Sequence, residues 1–167
     1  CVGKESNYKI LENIIKELAA IFPCPYVNIG GDEVVFDYWK QCPDCQALMK
    51  KEGYKDVEEL HGHFVRRMED IINKYGKVMM GWDDIQDFGG LRPTSTVVAW
   101  RSQSKGVESV KKGQPTVMQP AQYCYVDMQY TPAERGHNWA AIIPLDKIYN
   151  YEPLQDMDLT AEEERLV

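Results

Sequence analysis

The sequence predicts an α/β fold in which a parallel sheet is covered by helices. Apolar residues at helical spacing alternate along the chain with short apolar runs bounded by Gly, Pro and polar residues. The helical stretches are long enough to return the chain between parallel strands. No Gly-x-Gly-x-x-Gly and no phosphate-binding loop opens any of them, so a nucleotide-binding doubly wound sheet loses support.

The elements follow in order. Asn7 is placed to cap a first helix whose apolar positions are Ile10, Leu11, Ile14, Ile15, Leu18, Ile21 and Phe22, and Pro23 and Pro25 end it. Tyr26-Val27-Asn28-Ile29 is a strand stopped by Gly30-Gly31. A loop rich in aromatic residues and cysteine then runs to about Lys55. Asp56 caps a second long helix with Glu59 in the box position, and its stripe is Val57, Leu60, Phe64, Met68, Ile71 and Tyr75 before the stop at Gly76. Lys77–Met80 is the second strand; the stretch 83–93 carries a weak helix or none. Thr96–Ala99 is the third strand, 104–112 a short helix and Pro115–Met118 the fourth strand, followed by a long loop. Thr160 with Glu163 forms another capping box close to Val167, so the chain is expected to be a piece of a longer protein.

Composition narrows the function. The 167 residues suit one domain or part of one, and 44% hydrophobic with 27% charged residues is globular. A net charge of −7 with no basic cluster argues against nucleic acid as a partner. Apolar stretches such as Leu18–Phe22 fall far short of the ~20 residues of a membrane helix. Five cysteines leave an odd thiol. Cys42-Pro43-Asp44-Cys45 has the spacing of half a zinc site or a redox pair. No second pair follows at finger spacing, and it does not open a helix behind a strand in thioredoxin fashion. It reads as two loop cysteines, and no metal is expected. His61 and His63 are two apart rather than the three or four a helical metal pair prefers, so they read as surface residues. Trp39 reads as packing, and His137 lies in the long loop without a clear role.

The chemistry collects at the strand ends. The first strand ends in Gly30-Gly31-Asp32-Glu33, the second in Gly81-Trp82-Asp83-Asp84, the third in Trp100-Arg101, and the fourth leads to Tyr123-Cys124-Tyr125-Val126-Asp127. In a (β/α)8 barrel, active sites are built at the C-terminal strand ends. Indoles stack on sugar rings while carboxylates accept hydrogen bonds from hydroxyls, so these ends suggest a sugar pocket. Adjacent side chains on a strand point to opposite faces. Asp32 and Glu33 can therefore serve one pocket only where the strand has ended, and the two glycines permit that turn. Paired carboxylates resist simultaneous ionisation, which is one way to make a proton donor.

The segment Val27–Val34 resembles the H-x-G-G-D-E motif of glycoside hydrolase family 20, the β-N-acetylhexosaminidases. Gly81-Trp82-Asp83-Asp84 is similar to that family's G-W-D/E segment, Val98–Arg101 to its next Trp-bearing strand end, and Tyr125–Tyr130 to its Y-L-D-M-x-Y segment. Asn138-Trp139-Ala140 and Tyr149–Pro153 resemble the stretch behind it. The matches come in family order and span roughly residues 8 to 167.

The resemblance implies a partial (β/α)8 TIM barrel, roughly strands 4 to 7 with their helices. Residues 1–167 would then be a fragment of one catalytic domain, with no second domain. It implies removal of terminal β-linked N-acetylglucosamine or N-acetylgalactosamine from glycans by a retaining mechanism in which the substrate's own 2-acetamido oxygen is the nucleophile. Glu33 would protonate the leaving oxygen and then activate water; Asp32 would hold the acetamido nitrogen. Tyr125 would bind the acetamido oxygen, Asp127 a sugar hydroxyl, and Trp82, Trp100 and Trp139 would wall the pocket. No cofactor is implied, and the family's settings are secreted, periplasmic or lysosomal. The motif's leading His is replaced by Asn28. The family's substrate-clamping Arg and its last Trp and Glu would lie outside 1–167, so the isolated chain is expected to be inactive. The competing reading is a carbohydrate-binding domain without catalysis; retention of both Asp32 and Glu33 speaks for the enzyme.

Overall fold

The computed structural model describes all residues from 1 to 167, and the chain divides into two compact units, Cys1–Thr96 and Val97–Val167. Each is a parallel α/β arrangement.

In the first unit, helix α1 (Glu5–Ile21) leads to strand β1 (Tyr26–Asn28), helices α2 (Asp37–Gln41), α3 (Pro43–Glu52) and α4 (Glu59–Lys74), and strand β2 (Val78–Trp82). Strand β1 pairs with β2 in parallel, Val27 opposite Met79. Helix α4 packs on β2 and on α1. Its predicted stripe is a core face: Val57, Leu60, Met68 and Ile71 are buried, and Phe64 and Tyr75 are half-buried. Glu59 reaches back to accept the amides of Lys55 at 2.7 Å and Asp56 at 3.1 Å, which is one half of a capping box, and Gly76 takes the left-handed conformation at φ 69°. Arg67 pairs with Glu5 and lies over the Tyr8 ring, and Lys74 pairs with Glu12, so two charged pairs fasten the C-terminal half of α4 to the N-terminal half of α1.

Four expectations are corrected in this unit. Glu58, not Asp56, is the N-cap of α4, and no side chain caps it. Lys4, not Asn7, is the N-cap of α1; Asn7 lies inside the helix and donates from Nδ2 to the Cys1 carbonyl at 2.8 Å. Helix α1 buries Tyr8 and Ile15, with Leu11 and Leu18 half-covered, whereas Ile10, Ile14, Ile21 and Phe22 are 48–68% exposed. Its apolar band is wider than the strip α4 covers, and periodicity alone does not say which strip that is. The stretch predicted as loop up to Lys55 contains α2 and α3. Cys42 is the N-cap of α3, Pro43 opens it, and Gly53 ends it at φ 74°.

The second unit contains strand β3 (Thr96–Ala99, its first residue the last of unit 1), α5 (Gln103–Lys111), β4 (Thr116–Met118), α6 (Ala121–Cys124) and α7 (Leu145–Tyr149). Strand β3 pairs with β4 in parallel, Val98 opposite Val117. Ser102 caps α5 by accepting the Lys105 amide at 3.2 Å. The Thr160–Glu163 box forms in both directions, at 2.7 and 3.3 Å, ahead of a 3₁₀ turn at Glu164–Leu166. No helix is long and apolar enough to cross a membrane.

Candidate active site

The carboxylate pair is positioned by what surrounds the end of β1. Parallel pairing continues one step past the strand: Ile29 donates to the Met80 carbonyl at 3.0 Å and Trp82 to the Gly30 carbonyl at 2.9 Å. Gly30 and Gly31 then turn the chain at φ 73° and 92°. A side chain at Gly31 would place Cβ 2.6 Å from Ile85 Cγ2, and one at Gly81 would place it 2.9 Å from the Gly30 carbonyl. Asn28, where the family motif has His, accepts the Gly30 amide on Oδ1 at 2.8 Å. It holds the turn with a group that does not titrate.

Asp32 and Glu33 leave this turn on the exposed side. Glu33 is itself left-handed at φ 49°, a conformation that costs a non-glycine residue about 1–2 kcal/mol. Its amide donates to Asp84 Oδ1 at 3.3 Å. Strained backbone of this kind gathers at functional sites. Trp82, which ends β2, and Asp84, in the 3₁₀ turn Asp83–Gln86, are thus joined to the segment 30–33 by one backbone hydrogen bond and one from the Glu33 amide to the Asp84 side chain. A cavity of about 340 Å³ reaches Asp32 from the α1 side, with Gly31, Trp39 and His61 among its lining. Trp39 also packs on Phe36 and on the buried group of Val2, Cys45, Val57 and Leu60, as its reading as packing requires.

His61 is the residue that sequence reasoning missed. It is not on the surface but 2% exposed, flanked edge-on by Phe36 and Phe88 at ring separations of 6.4 and 5.6 Å. Its Nε2 lies 2.9 Å from the Gly31 carbonyl, which can only accept, so Nε2 carries the proton. Burial pushes its pKa below the ordinary value, more than the Gly31 bond and the Asp84 and Asp87 carboxylates raise it. The neutral imidazole therefore acts as a fixed donor under the turn. The signal was present: His61 is four residues after buried Val57 and four before buried Val65. His63 is half-buried and meets the Tyr54 hydroxyl at 3.0 Å.

The second unit carries an aromatic cluster of its own. Trp100 follows β3 and is braced by its carbonyl, which accepts the Ala121 amide at 2.8 Å. Its ring is nearly parallel to Tyr125, with centroids 6.4 Å apart and planes at 13°. Trp139 meets both edge-on, at 6.1 Å from Trp100 and 5.7 Å from Tyr125. The long loop that carries Tyr125, Asp127 and Trp139 is tied by cross-bonds: Gln129 donates to His137 at 2.7 Å, His137 to Asp127 at 3.3 Å and Ile143 to Gln129 at 2.8 Å. His137 thereby gains a structural role through its backbone. Trp139 is 57% exposed, and Asp127 is exposed.

A profile of the glycosyl hydrolase family 20 catalytic domain matches residues 1–167. The chain belongs to this family. It is 37% identical to a β-hexosaminidase of Vibrio furnissii over 153 residues, 90% of this chain and 25% of that protein. It is 36% identical to one of Porphyromonas gingivalis across 100% of this chain and 22% of the relative. The family 20 exo-β-N-acetylglucosaminidase of Vibrio harveyi, solved in complex with N-acetylglucosamine, is similar at a TM-score of 0.90 and 39% identity. That match covers 99% of this chain and 26% of that one. The chain thus spans about a quarter of the length of these family 20 relatives. The parallel α/β architecture expected from the sequence is that of the family.

Proposed function

We propose that the protein carrying this chain is a family 20 glycosidase that removes terminal, non-reducing β-linked N-acetylhexosamine from glycans with retention of configuration. The observation that supports this best is Glu33. It is presented at the end of a parallel strand, behind two glycines, in a strained backbone held by Asp84. A solvated acidic loop would relax out of that conformation.

In this reading the acetamido oxygen of the sugar attacks the anomeric carbon as Glu33 gives its proton to the leaving oxygen. The carbonyl carbon becomes part of an oxazolinium ring, and the positive charge spreads to the acetamido nitrogen, where Asp32 stabilises it. Glu33, now ionised, takes a proton from water, which opens the ring at the anomeric carbon and restores the acid. Tyr125 binds the acetamido oxygen and aligns it. Trp82, Trp100 and Trp139 present apolar faces to the acetamido methyl and the sugar, keeping bulk water from competing with the internal nucleophile. Asp127 binds a sugar hydroxyl. The substrate supplies the nucleophile, so the chemistry asks for no cofactor. The partner is a glycan or glycoconjugate with a terminal N-acetylhexosamine, met in a secreted, periplasmic or lysosomal setting. Residues 1–167 contribute one part of a single catalytic barrel.

The test uses the full-length protein and an aryl N-acetyl-β-glucosaminide. Glu33→Gln should lower kcat by about 10²–10⁴-fold while binding of N-acetylglucosamine survives, and Asp32→Asn should impair turnover as well. Wild-type rates in either variant would overturn the assigned roles. A full-length protein that binds the sugar without cleaving it would turn the reading to the carbohydrate-binding alternative.

A further inference from the structure

Three of the five thiols meet in the first unit, and one of them, Cys1, borders the cavity that reaches Asp32. Cys42 caps α3 and Cys45 lies in its first turn, so the C-x-x-C straddles a helix start. Cys1 arrives from the far end of the unit: its Sγ is 3.3 Å from that of Cys42 and 3.6 Å from that of Cys45, and the three sulfurs lie within 4.8 Å of one another. Thiolates on a tetrahedral zinc ion, with Zn–S near ~2.3 Å, stand roughly 3.8 Å apart. The triangle needs only a small spread to accept the ion.

The cluster is built rather than incidental. The Cys1 carbonyl is held by Asn7 Nδ2 at 2.8 Å and the Val2 carbonyl by the Tyr8 hydroxyl at 3.0 Å. Val2 is buried with Cys45, Val57 and Leu60. Gly3 presses so closely on α3 that a Cβ there would lie 2.3 Å from the Asp44 carbonyl. The backbone amides of Cys45 and Asp44 stand near the Cys42 sulfur and those of Gly3 and Val2 near the Cys45 sulfur. Such N–H groups are the outer shell that a metal thiolate requires. Cys45 is buried and Cys1 exposed, so the site is closed within and open at one side.

We infer that Cys1, Cys42 and Cys45 bind one zinc(II) ion as a structural three-thiolate site, with a water molecule in the fourth position on the exposed side. Each thiol gives up its proton on binding, so up to three protons leave as the ion enters. The ion ties the segment before α1 to the start of α3, a few residues after the loop that carries Asp32 and Glu33. The site uses none of the side chains assigned to the sugar chemistry, and its readout is metal uptake rather than turnover.

The test takes the full-length protein, reduced and freed of metal, and titrates zinc against a chromophoric chelator. One equivalent should bind, and cadmium in its place should give a thiolate-to-metal charge-transfer band. Zinc should raise the thermal midpoint. Cys1→Ser, at an exposed position that leaves the core intact, should weaken zinc binding by more than about 100-fold, beyond the 10–100-fold cost of an outer-shell loss, and should abolish the thermal shift. Cys24→Ser should change neither. Absence of zinc uptake with all thiols reduced, binding that survives Cys1→Ser, or a disulfide between any two of the three in protein taken from its natural compartment would each overturn the site.

Discussion

Glu33 and Gly31 carry the strain of the candidate site, and each is testable alone. The Glu33 amide relies on Asp84 Oδ1 to stay left-handed. Asp84→Ala should therefore lower kcat by roughly 10–100-fold through misplacement of the acid, with little change in KM, while Asp84→Asn, which keeps an acceptor at the same atom, should retain most of the rate. Steady-state kinetics of the full-length protein checks both. Gly31→Ala meets two obstacles at once, φ 92° and Ile85 Cγ2 at 2.6 Å. It should destabilise the protein by about 1–3 kcal/mol, read as a lowered midpoint in denaturant. His61 should titrate below 6.5, since burial outweighs the Gly31 bond; an NMR titration of its imidazole at or above that value would contradict the neutral donor described for it. None of these couplings was legible in the sequence, because Asp84 is 51 positions from Glu33 and His61 is 30 from Gly31.

At the level of the elements, capping is the most exposed to test. Glu59 closes the start of α4 by accepting two amides, so Glu59→Ala should cost about 0.5–2 kcal/mol of stability, as losses of a cap do, measurable by chemical denaturation. The reach-back of Glu59, the Gly76 stop and the alternation of helices with parallel strands were all readable, since each depends on neighbours a few residues apart; the cap itself falls on Glu58 rather than Asp56. Strand Thr96–Ala99 lies where its apolar run predicts. Helices α2 and α3 were not read. Helix α3 buries only Cys45, so it has no stripe to announce it; Pro43, Asp44, the Lys50–Lys51 pair and Gly53 mark its ends instead. Asp32 and Glu33 were visible as a motif, Trp100 as a strand-end aromatic, and Tyr125 and Trp139 as aromatics of the segments that follow the fourth strand. The meeting of Cys1 with Cys42 was not, because 41 residues of intervening fold decide it.

For the molecule as a whole, acid should act in two steps. His61 and His63 are both held below their ordinary 6.5 by burial, so each favours the folded state when neutral. The stability they allow is fully present above 6.5 and declines as pH falls through their folded values. Glu5, Glu12, Glu59, Glu108 and Glu163 sit below 4.5 through hydrogen bonds to cations or backbone amides, Glu108 at about 2 between Lys112 and Lys105. Their contribution is present above 4.5 and fades below it. Thermal midpoints across pH 4 to 8 should thus be level above about 6.5, fall gently below it, and fall more steeply once the carboxylates protonate. Helix α4 has a wider consequence. Through His61 it holds the Gly31 carbonyl, through Arg66 the Gly89 carbonyl, and through Glu69 the Ser95 hydroxyl; Gly62 lies against the Phe88 carbonyl. One rod thus carries both the Gly30–Gly31 turn and the link that leaves β2. The two should breathe together, their amide protons exchanging with deuterium at a shared rate set by the lifting of that single helix.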